Sequence, residues 1–530
     1  MTTTFQTTDS IGAGVRFTIA AAYDRYTVIA GVNVISTDFY GVYSNVAGSS
    51  ISIDGSIYAA QAAISLDVNA NGSSIYIGTR AIVSSTAYSE GPIIVLGAAG
   101  ASLVNHGQIA ASSGVGILSN ANTTYIQNFG AISGASGVFM GMFEKTGNRL
   151  TNGGTISAGS FNLGFEGTQV NNAVFSKGAD TGVVNLAGGI LSAISADGNG
   201  VRFGVEDGDS DMDGSSVINH GQIVSAQSDG VRFAGQADDT LTLINHGTIT
   251  GAGWAFRGDV QTDLVTNRGM MRGSVDLGDG ADTFDGRGGT VTGTVYGGTG
   301  DDTYVVSDST IALEELFDDG IDLVASEVDW VLGENFENLY LLGIADTRGY
   351  GNGLGNTITG NSGDNRLRGG GGKDMLGGGD GDDDLRGQAG LDTLIGGDGD
   401  DILRGGDGND RLNGGDGNDT LIGGAGGDKL TGGADADVFR FNIAAHSPNA
   451  GAADQITDFT RGEDLIDLSG LNATPVFIGS GAFSGTGAEV RIAASGPNRL
   501  VMVDMDGDGS ADMKIIVIGM AGLESHDFIL

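Results

Sequence analysis

The chain has no cysteine, so no disulfide holds it together. That absence alone does not assign a compartment. Proline is scarce, with four in 530 residues, and tryptophan scarcer, with two. Bases are few: 25 Lys and Arg stand against 66 Asp and Glu, a formal net charge of −41. Such a charge repels phosphate backbones and argues against a nucleic-acid partner. No apolar run approaches the roughly 18 residues that a membrane-spanning helix needs. The opening residues, MTTTFQTTDSIGAGVRF, lack the basic stretch and apolar core of a standard signal peptide. The length suits two or three domains.

Glycine, by contrast, numbers 97, and much of it is in register. Ten consecutive nonapeptides of the form G-G-x-G-x-D-x-U-x, with U a large apolar residue, run unbroken from Gly351 to Arg440. GGDGDDDLR (Gly378 to Arg386), GGDGDDILR (Gly396 to Arg404), GGDGNDRLN (Gly405 to Asn413) and GGDGNDTLI (Gly414 to Ile422) are examples. Position 1 is Gly in all ten, position 6 is Asp or Asn, and position 8 is Ile, Leu or Phe. Strict register argues against a flexible linker. The glycine-rich half must turn sharply and bring backbone carbonyls toward one point. Gly378, Gly381, Gly396, Gly399, Gly405, Gly408, Gly414 and Gly417 are turn glycines of this kind. Position 6 adds a carboxylate, and Ca²⁺ prefers about six to eight such hard oxygens.

The expected ligands at position 6 are Asp374, Asp383, Asp392, Asp401, Asp410, Asp419, Asp428 and Asp437, with Asp380, Asp398, Asp407 and Asp416 at position 3 in the same metal-binding set. Asn356 and Asn365 hold position 6 in the first two repeats and lack charge, so weaker or absent sites are expected there. The last three residues of each unit form a short strand. Its position 8 side chain points inward: Ile358, Leu367, Leu376, Leu385, Leu394, Leu403, Leu412, Leu421, Leu430 and Phe439. Two units close one coil, so ten make five coils of a parallel β-roll. With calcium between turns stacked on the same side, ten loops leave about eight sites. The array closely resembles the RTX (repeats-in-toxin, haemolysin-type calcium-binding) family.

The charge is uneven. Residues 1–270 hold 20 acids and 10 bases, and the remainder holds 46 and 15. Dense carboxylates oppose compaction until cations neutralise them, so folding of the C-terminal part is expected to be coupled to Ca²⁺. After the repeats, ADVFRFNIAAHSPNAGAADQITDFTRGEDLIDLSGLN resembles the C-terminal module of serralysin-type secreted proteins, through Asp437, Phe439, Asp454, Ile456, Asp458, Phe459, Gly462, Asp464, Ile466, Asp467 and Leu468. The closing Asp527, Phe528, Ile529 and Leu530 resemble a type I secretion signal. The resemblance implies one-step export, unfolded, by a Gram-negative transporter, and an extracellular or cell-surface location. In VMVDMDGDGSADMKIIVIG, Asp504, Asp506, Asp508 and Asp512 form either a further calcium loop or a polar β-turn. GDGADTFDG (Gly278 to Gly286) and GGTGDDTYV (Gly297 to Val305) are isolated repeats with Asp282 and Asp302 at position 6. Between them and the array lies a stretch that resembles the strand-rich insertion of RTX proteins, with Trp330, Phe336 and Leu339 as core.

A looser unit, N-x-G-x-I, recurs upstream: NHGQI (Asn105 to Ile109), NFGAI (Asn128 to Ile132), NGGTI (Asn152 to Ile156), NHGQI (Asn219 to Ile223), NHGTI (Asn245 to Ile249) and, less faithfully, NRGMM at Asn267. A second element, such as NGVRFG at Asn199 or DGVRFAG at Asp229, follows most of them. Asn-Gly turns with β-branched residues in every coil predict a right-handed parallel β-helix, its Asn residues stacked and bonded to backbone. Residues 12–100 are expected to add strands without a clear repeat that cap its end. His106, His220 and His246, replaced by Phe129, Gly153 and Arg268 in sister units, read as solvated turn positions. DGDSDMDG (Asp207 to Gly214) is a calcium-binding loop or a plain acidic one; both readings stand.

The chain is thus expected to be all-β: a parallel β-helix with N-terminal cap over 1–274, first repeats and insertion over 275–350, the roll over 351–440, and a β-sandwich-like secretion module over 441–530. No HExxH zinc-protease motif and no G-x-S-x-G lipase motif occurs, and five lysines leave little for toxin acylation. The expected function is a secreted calcium-binding structural or adhesive protein, with self-assembly or a surface polysaccharide as partner of the β-helix. The alternative is a polysaccharide lyase or epimerase using Arg202, Arg232, Glu206 and Asp229. Eight of the twelve tyrosines fall within the first 125 residues and read as sheet packing rather than sugar contacts.

Overall fold

The computed structural model describes residues 3–530 except 7–9, 13–16, 38–39, 86–90, 142–144, 160–163, 166–167, 170, 196–197, 205–211, 318–319, 450–451 and 521. Among these residues the chain is strand and turn, with two single-turn 3₁₀ elements. It divides into two compact units, Met1–Asp302 with Thr310–Gly320, and Thr303–Ser309 with Ile321–Leu530.

The first unit is a stack of parallel coils, each with up to three short strands. One coil contributes Ser102–Asn105, Gln108–Ala110 and Val115–Ser119, and the next contributes Tyr125–Asn128, Ala131–Gly134 and Ser136–Met140 in parallel register. Alternation sends every second side chain inward. Leu103, Ile126, Leu150, Val183, Val217, Leu243 and Val265 stack one above another and are buried.

Asparagine shares that interior. Asn105, Asn128, Asn152, Asn185, Asn219, Asn245 and Asn267 are all fully buried. Each amide nitrogen but that of Asn267 donates to the next Asn Oδ1, at 2.8–2.9 Å, and Asn267 donates to the Thr290 carbonyl. The same nitrogens donate to strand carbonyls one coil on, such as Asn219 Nδ2 to Thr248 O at 3.2 Å. A buried amide in water-free surroundings is costly unless paired, and the continuous ladder pairs each one. The motif glycine serves close approach: a Cβ at Gly130, Gly154, Gly247 or Gly269 would collide with a backbone carbonyl of the preceding coil.

Residues before 100 differ from expectation. They form further coils in the same register, with Val28, Ile53 and Ile77 in the place Asn holds later. Apolar side chains fill that interior slot without an amide ladder, which removes the Asn signature from the sequence but keeps the coil. Asn185 is a ladder member hidden in NLAGGI, where one extra residue breaks the N-x-G-x-I spacing.

The second unit carries the roll. Position 8 residues stack every 18 residues in two columns. One runs Ile358, Leu376, Leu394, Leu412, Leu430, Ile456; the other runs Leu367, Leu385, Leu403, Leu421, Phe439, Ile466, Phe528. All are buried. Tyr304 of the isolated repeat and Val324 and Leu339 of the insertion extend the first column upstream, and Trp330 and Phe336 are core. At the C-terminal end the strands Glu489–Ser495, Asn498–Asp504 and Met513–Val517 form an antiparallel meander. Its last strand pairs in parallel with Gln455–Ile456 of the column, so the module is joined edge to edge with the roll.

Candidate metal centre

Eight of the ten nonapeptide loops, from Gly369 onward, turn through two left-handed positions. Position 2 has φ from +107° to +128° in seven repeats, and position 4 reaches +154° at Gly390. Only glycine adopts such angles freely. Position 1 is glycine for another reason. A Cβ at Gly396 would collide with Asp401 Oδ2 and with the Gly414 carbonyl of the next coil on that side. The same pair of collisions recurs at Gly378 with Asp383 and the Gly396 carbonyl, at Gly387 with Asp392 and Gly405, at Gly405 with Asp410 and Gly423, and at Gly414 with Asp419 and Gly432. The missing side chain leaves a cradle walled by a carboxylate oxygen and a carbonyl oxygen.

The position 6 carboxylates are buried, at 0–2% exposure, and held in two ladders. On one side of the roll, Oδ1 of Asp374, Asp392, Asp410, Asp428 and Asp454 accepts the backbone N–H of the position 6 residue one coil earlier, from Asn356 onward. On the other, Asp383, Asp401, Asp419, Asp437 and Asp464 do the same from Asn365 onward. These bonds span 2.6–3.0 Å. Oδ2 of Asp374, Asp383, Asp392, Asp401, Asp410, Asp419, Asp428 and Asp437 is buried with no hydrogen-bond partner in the protein.

A buried carboxylate oxygen beside a carbonyl oxygen is electrostatically unfavourable unless a proton or a cation lies between them. Burial pushes the Asp383, Asp410, Asp419 and Asp437 carboxyls up to about 7, and Asp374, Asp401 and Asp428 to about 6. Carboxylates of adjacent coils add to the rise at most of them, for instance Asp428 at Asp410. Aligned backbone N–H donors oppose it. Orphaned oxygens, hard donors and an open cradle fit a calcium ion.

Asn356 and Asn365 resolve the same problem internally. Asn356 Nδ2 donates to the Phe336 carbonyl at 2.9 Å, and Asn365 Nδ2 to Asn361 Oδ1 at 2.9 Å. Their Oδ1 takes the cradle side, where it accepts the Asn352 and Asn361 N–H, so the oxygen there carries no charge and has a partner.

Position 3 residues Asp380, Asp398 and Asp416 stack in register and are exposed, and Asp407 is exposed between Ala389 and Ala425. In the first unit, Asp282 Oδ1 accepts the Asp263 N–H at 2.7 Å and Asp302 Oδ1 accepts the Asp282 N–H at 2.8 Å, so the isolated repeats share the ladder geometry. Asp504, Asp506 and Asp512 bring carboxylate oxygens within 4.8 Å of one another. Asp508 stands apart from that trio and accepts the Ser510 N–H. Asp454 and Asp464 continue the two ladders beyond the array, although the nine-residue spacing that would reveal them has ended by then.

Of the residues considered for glycan chemistry, Arg202, Arg232 and Arg257 sit on adjacent paired strands. Arg232 lies 3.9 Å from Asp229 and Arg257 lies 3.2 Å from Asp276. Glu206 and the acidic loop residues Asp207, Asp209 and Asp211 lie outside the described residues; Asp213 accepts the Thr240 N–H. His220 and His246 are exposed at the turns, with their rings stacked at 4.8 Å.

Comparison with known proteins places these features. The metallopeptidase AprA of Pseudomonas marginalis is 39% identical over 82 residues, which is 15% of this chain and 17% of the relative's length. The solution structure of the AlgE6R3 subunit from the Azotobacter vinelandii mannuronan C5-epimerase is 22% identical, covers 38% of this chain and 83% of that one, and has a TM-score of 0.20. Residues 166–530, well over half of the chain, match the family described as Peptidase M10 serralysin C terminal, and the chain belongs to that family.

Proposed function

We propose that the chain is a secreted calcium-binding protein whose roll folds when Ca²⁺ enters the cradles between successive loops. The observation that carries this reading is the set of eight buried position 6 carboxylates whose Oδ2 lacks a protein partner. Uncharged water cannot neutralise them, and a divalent cation can. The acids in the set are Asp374, Asp383, Asp392, Asp401, Asp410, Asp419, Asp428 and Asp437, with Asp282 and Asp302 in the first unit and the Asp504, Asp506 and Asp512 trio as additional places for an ion.

Export precedes folding in this reading, through a type I transporter. The tail supports that order: Asp527 and Phe528 are buried, and Phe528 pairs with Ile466 as the last member of an apolar column. Burial of those two side chains in the folded protein fits recognition of the tail before folding. Low cytosolic calcium keeps the ladders open, and extracellular calcium closes them. The parallel coils of the first unit then serve a structural or adhesive role, by self-assembly or by attachment to a surface polysaccharide. No helix among the described residues is long and apolar enough to cross a membrane.

Far-UV circular dichroism of the full chain, with chelator and then with calcium, tests the reading. A calcium-dependent gain of strand signal is expected. An unchanged spectrum would sink it.

A further inference from the structure

The two loop columns of the roll have the same cradles and different surroundings. Call column A the loops that begin at Gly360, Gly378, Gly396, Gly414 and Gly432, and column B those that begin at Gly351, Gly369, Gly387, Gly405 and Gly423. In column A, position 3 is Asp380, Asp398 and Asp416 in three successive coils, paired in register. Position 5 is Asp364, Asp382 and Asp400. Those three form a ladder of their own: Asp364 Oδ1 accepts the Asp382 N–H at 3.0 Å, Asp382 Oδ1 accepts the Asp400 N–H at 2.9 Å, and Asp400 Oδ1 accepts the Asn418 N–H at 2.8 Å. At positions 3 and 5 the column A loops therefore hold six carboxylates, three of them fixed by backbone bonds.

Column B has one. Its position 3 residues are Gly353, Gly371, Ala389, Asp407 and Ala425, and its position 5 residues include Lys373 and Leu391. Arginines precede three of its loops directly, Arg368 before Gly369, Arg386 before Gly387 and Arg404 before Gly405. The residues that precede the corresponding column A loops, Thr359, Gly377, Ile395, Asn413 and Thr431, are all neutral. Both columns retain the buried, unpartnered Oδ2 that points to a cation.

Resting on the calcium reading above, we propose that the roll holds two classes of calcium site, a tight class in column A and a weak class in column B. Ligand charge and site rigidity set calcium affinity in oxygen sites. A fixed carboxylate some 7 Å from a divalent ion strengthens binding roughly two- to three-fold at physiological salt. Two or three such neighbours per site in column A amount to on the order of a ten-fold difference, and the arginines beside column B, two of them paired with Asp384, do not offset it. Column A loads first as calcium rises, and its closed ladder gives column B the stacked coils it needs.

Calcium titration of the full chain by calorimetry tests this, with added calcium as the probe. Two classes of site at least ten-fold apart are expected. The triple variant Asp380→Asn, Asp398→Asn, Asp416→Asn should weaken the tight class on the order of ten-fold and leave the weak class in place. These side chains are exposed, and far-UV spectra at saturating calcium verify that the variant folds. Ala389→Asp with Ala425→Asp should tighten the weak class. A single class of identical sites, or a triple variant with both classes unchanged, overturns the inference while calcium binding itself stands. No calcium uptake at all overturns the calcium reading and this inference with it.

Discussion

Replacing Asp410 by Asn should change stability with opposite sign in the absence and presence of calcium. Asp410 is 1% exposed; its Oδ1 accepts the Asp392 N–H at 2.9 Å and its Oδ2 has no protein partner. Lifting the carboxyl from 3.8 to about 7 corresponds to about 4 kcal/mol against the charged form. Solvent screening close to the roll's surface lowers that to about 2 kcal/mol. Asn keeps the Oδ1 acceptor, removes the charge and turns an N–H toward the Gly423 carbonyl. Near pH 8 with chelator, the variant should therefore be the more ordered protein, by about 2 kcal/mol. With calcium it loses a charged ligand, on the order of a hundred-fold in affinity at its site or about 2.7 kcal/mol, which outweighs the gain and leaves the variant the less stable protein. Strand signal by far-UV circular dichroism in chelator, and urea unfolding in calcium, read the two signs. Destabilisation of equal size in both buffers would refute the reasoning, because it would make Asp410 an ordinary hydrogen-bonded core residue.

Acid should partly replace calcium. Asp383, Asp410, Asp419 and Asp437 lie near 7 in the folded roll and near 3.8 when exposed, so their contribution to folding without metal is complete below about pH 4 and lost as pH rises through about 7. Chelated protein should gain strand signal between about pH 8 and pH 5; a loss over that range would contradict the burial argument. Leu403→Ala, which opens a void between Leu385 and Leu421, should cost about 2–5 kcal/mol in calcium by urea unfolding, and Leu403→Met less than about 1.5 kcal/mol. Asn219→Ala removes the acceptor of Asn185 and of the Gly221 N–H and the donor to Asn245, and should cost about 2–4 kcal/mol in thermal unfolding of the first unit, equally with chelator and with calcium.

The roll was legible because one nine-residue unit repeats without a gap, so that position 8 and position 6 could be assigned residue by residue. Parallel coils upstream were legible only where Asn marks them. Val28, Ile53 and Ile77 occupy the same slot with no local signature, since an apolar side chain in that place satisfies the interior without any partner. Sequence reasoning attributed glycine at position 1 to turning; its cause is the cradle, which depends on a carbonyl 18 residues away. The position 5 acids Asp364, Asp382 and Asp400 escaped notice for a related reason. Their ladder joins residues one coil apart, and nothing within a single repeat distinguishes them from a variable loop position.

Hydrogen exchange of the full chain, with and without calcium, measures the central claim most directly, because it reads each coil separately. Amides of the ladder from Asn356 to Asp437 should exchange freely in chelator and become protected in calcium, while the strands that carry Asn105 to Asn267 stay protected in both. Equal protection of the roll in the two conditions would mean that the buried carboxylates are stable without a cation, and would contradict the calcium-coupled fold.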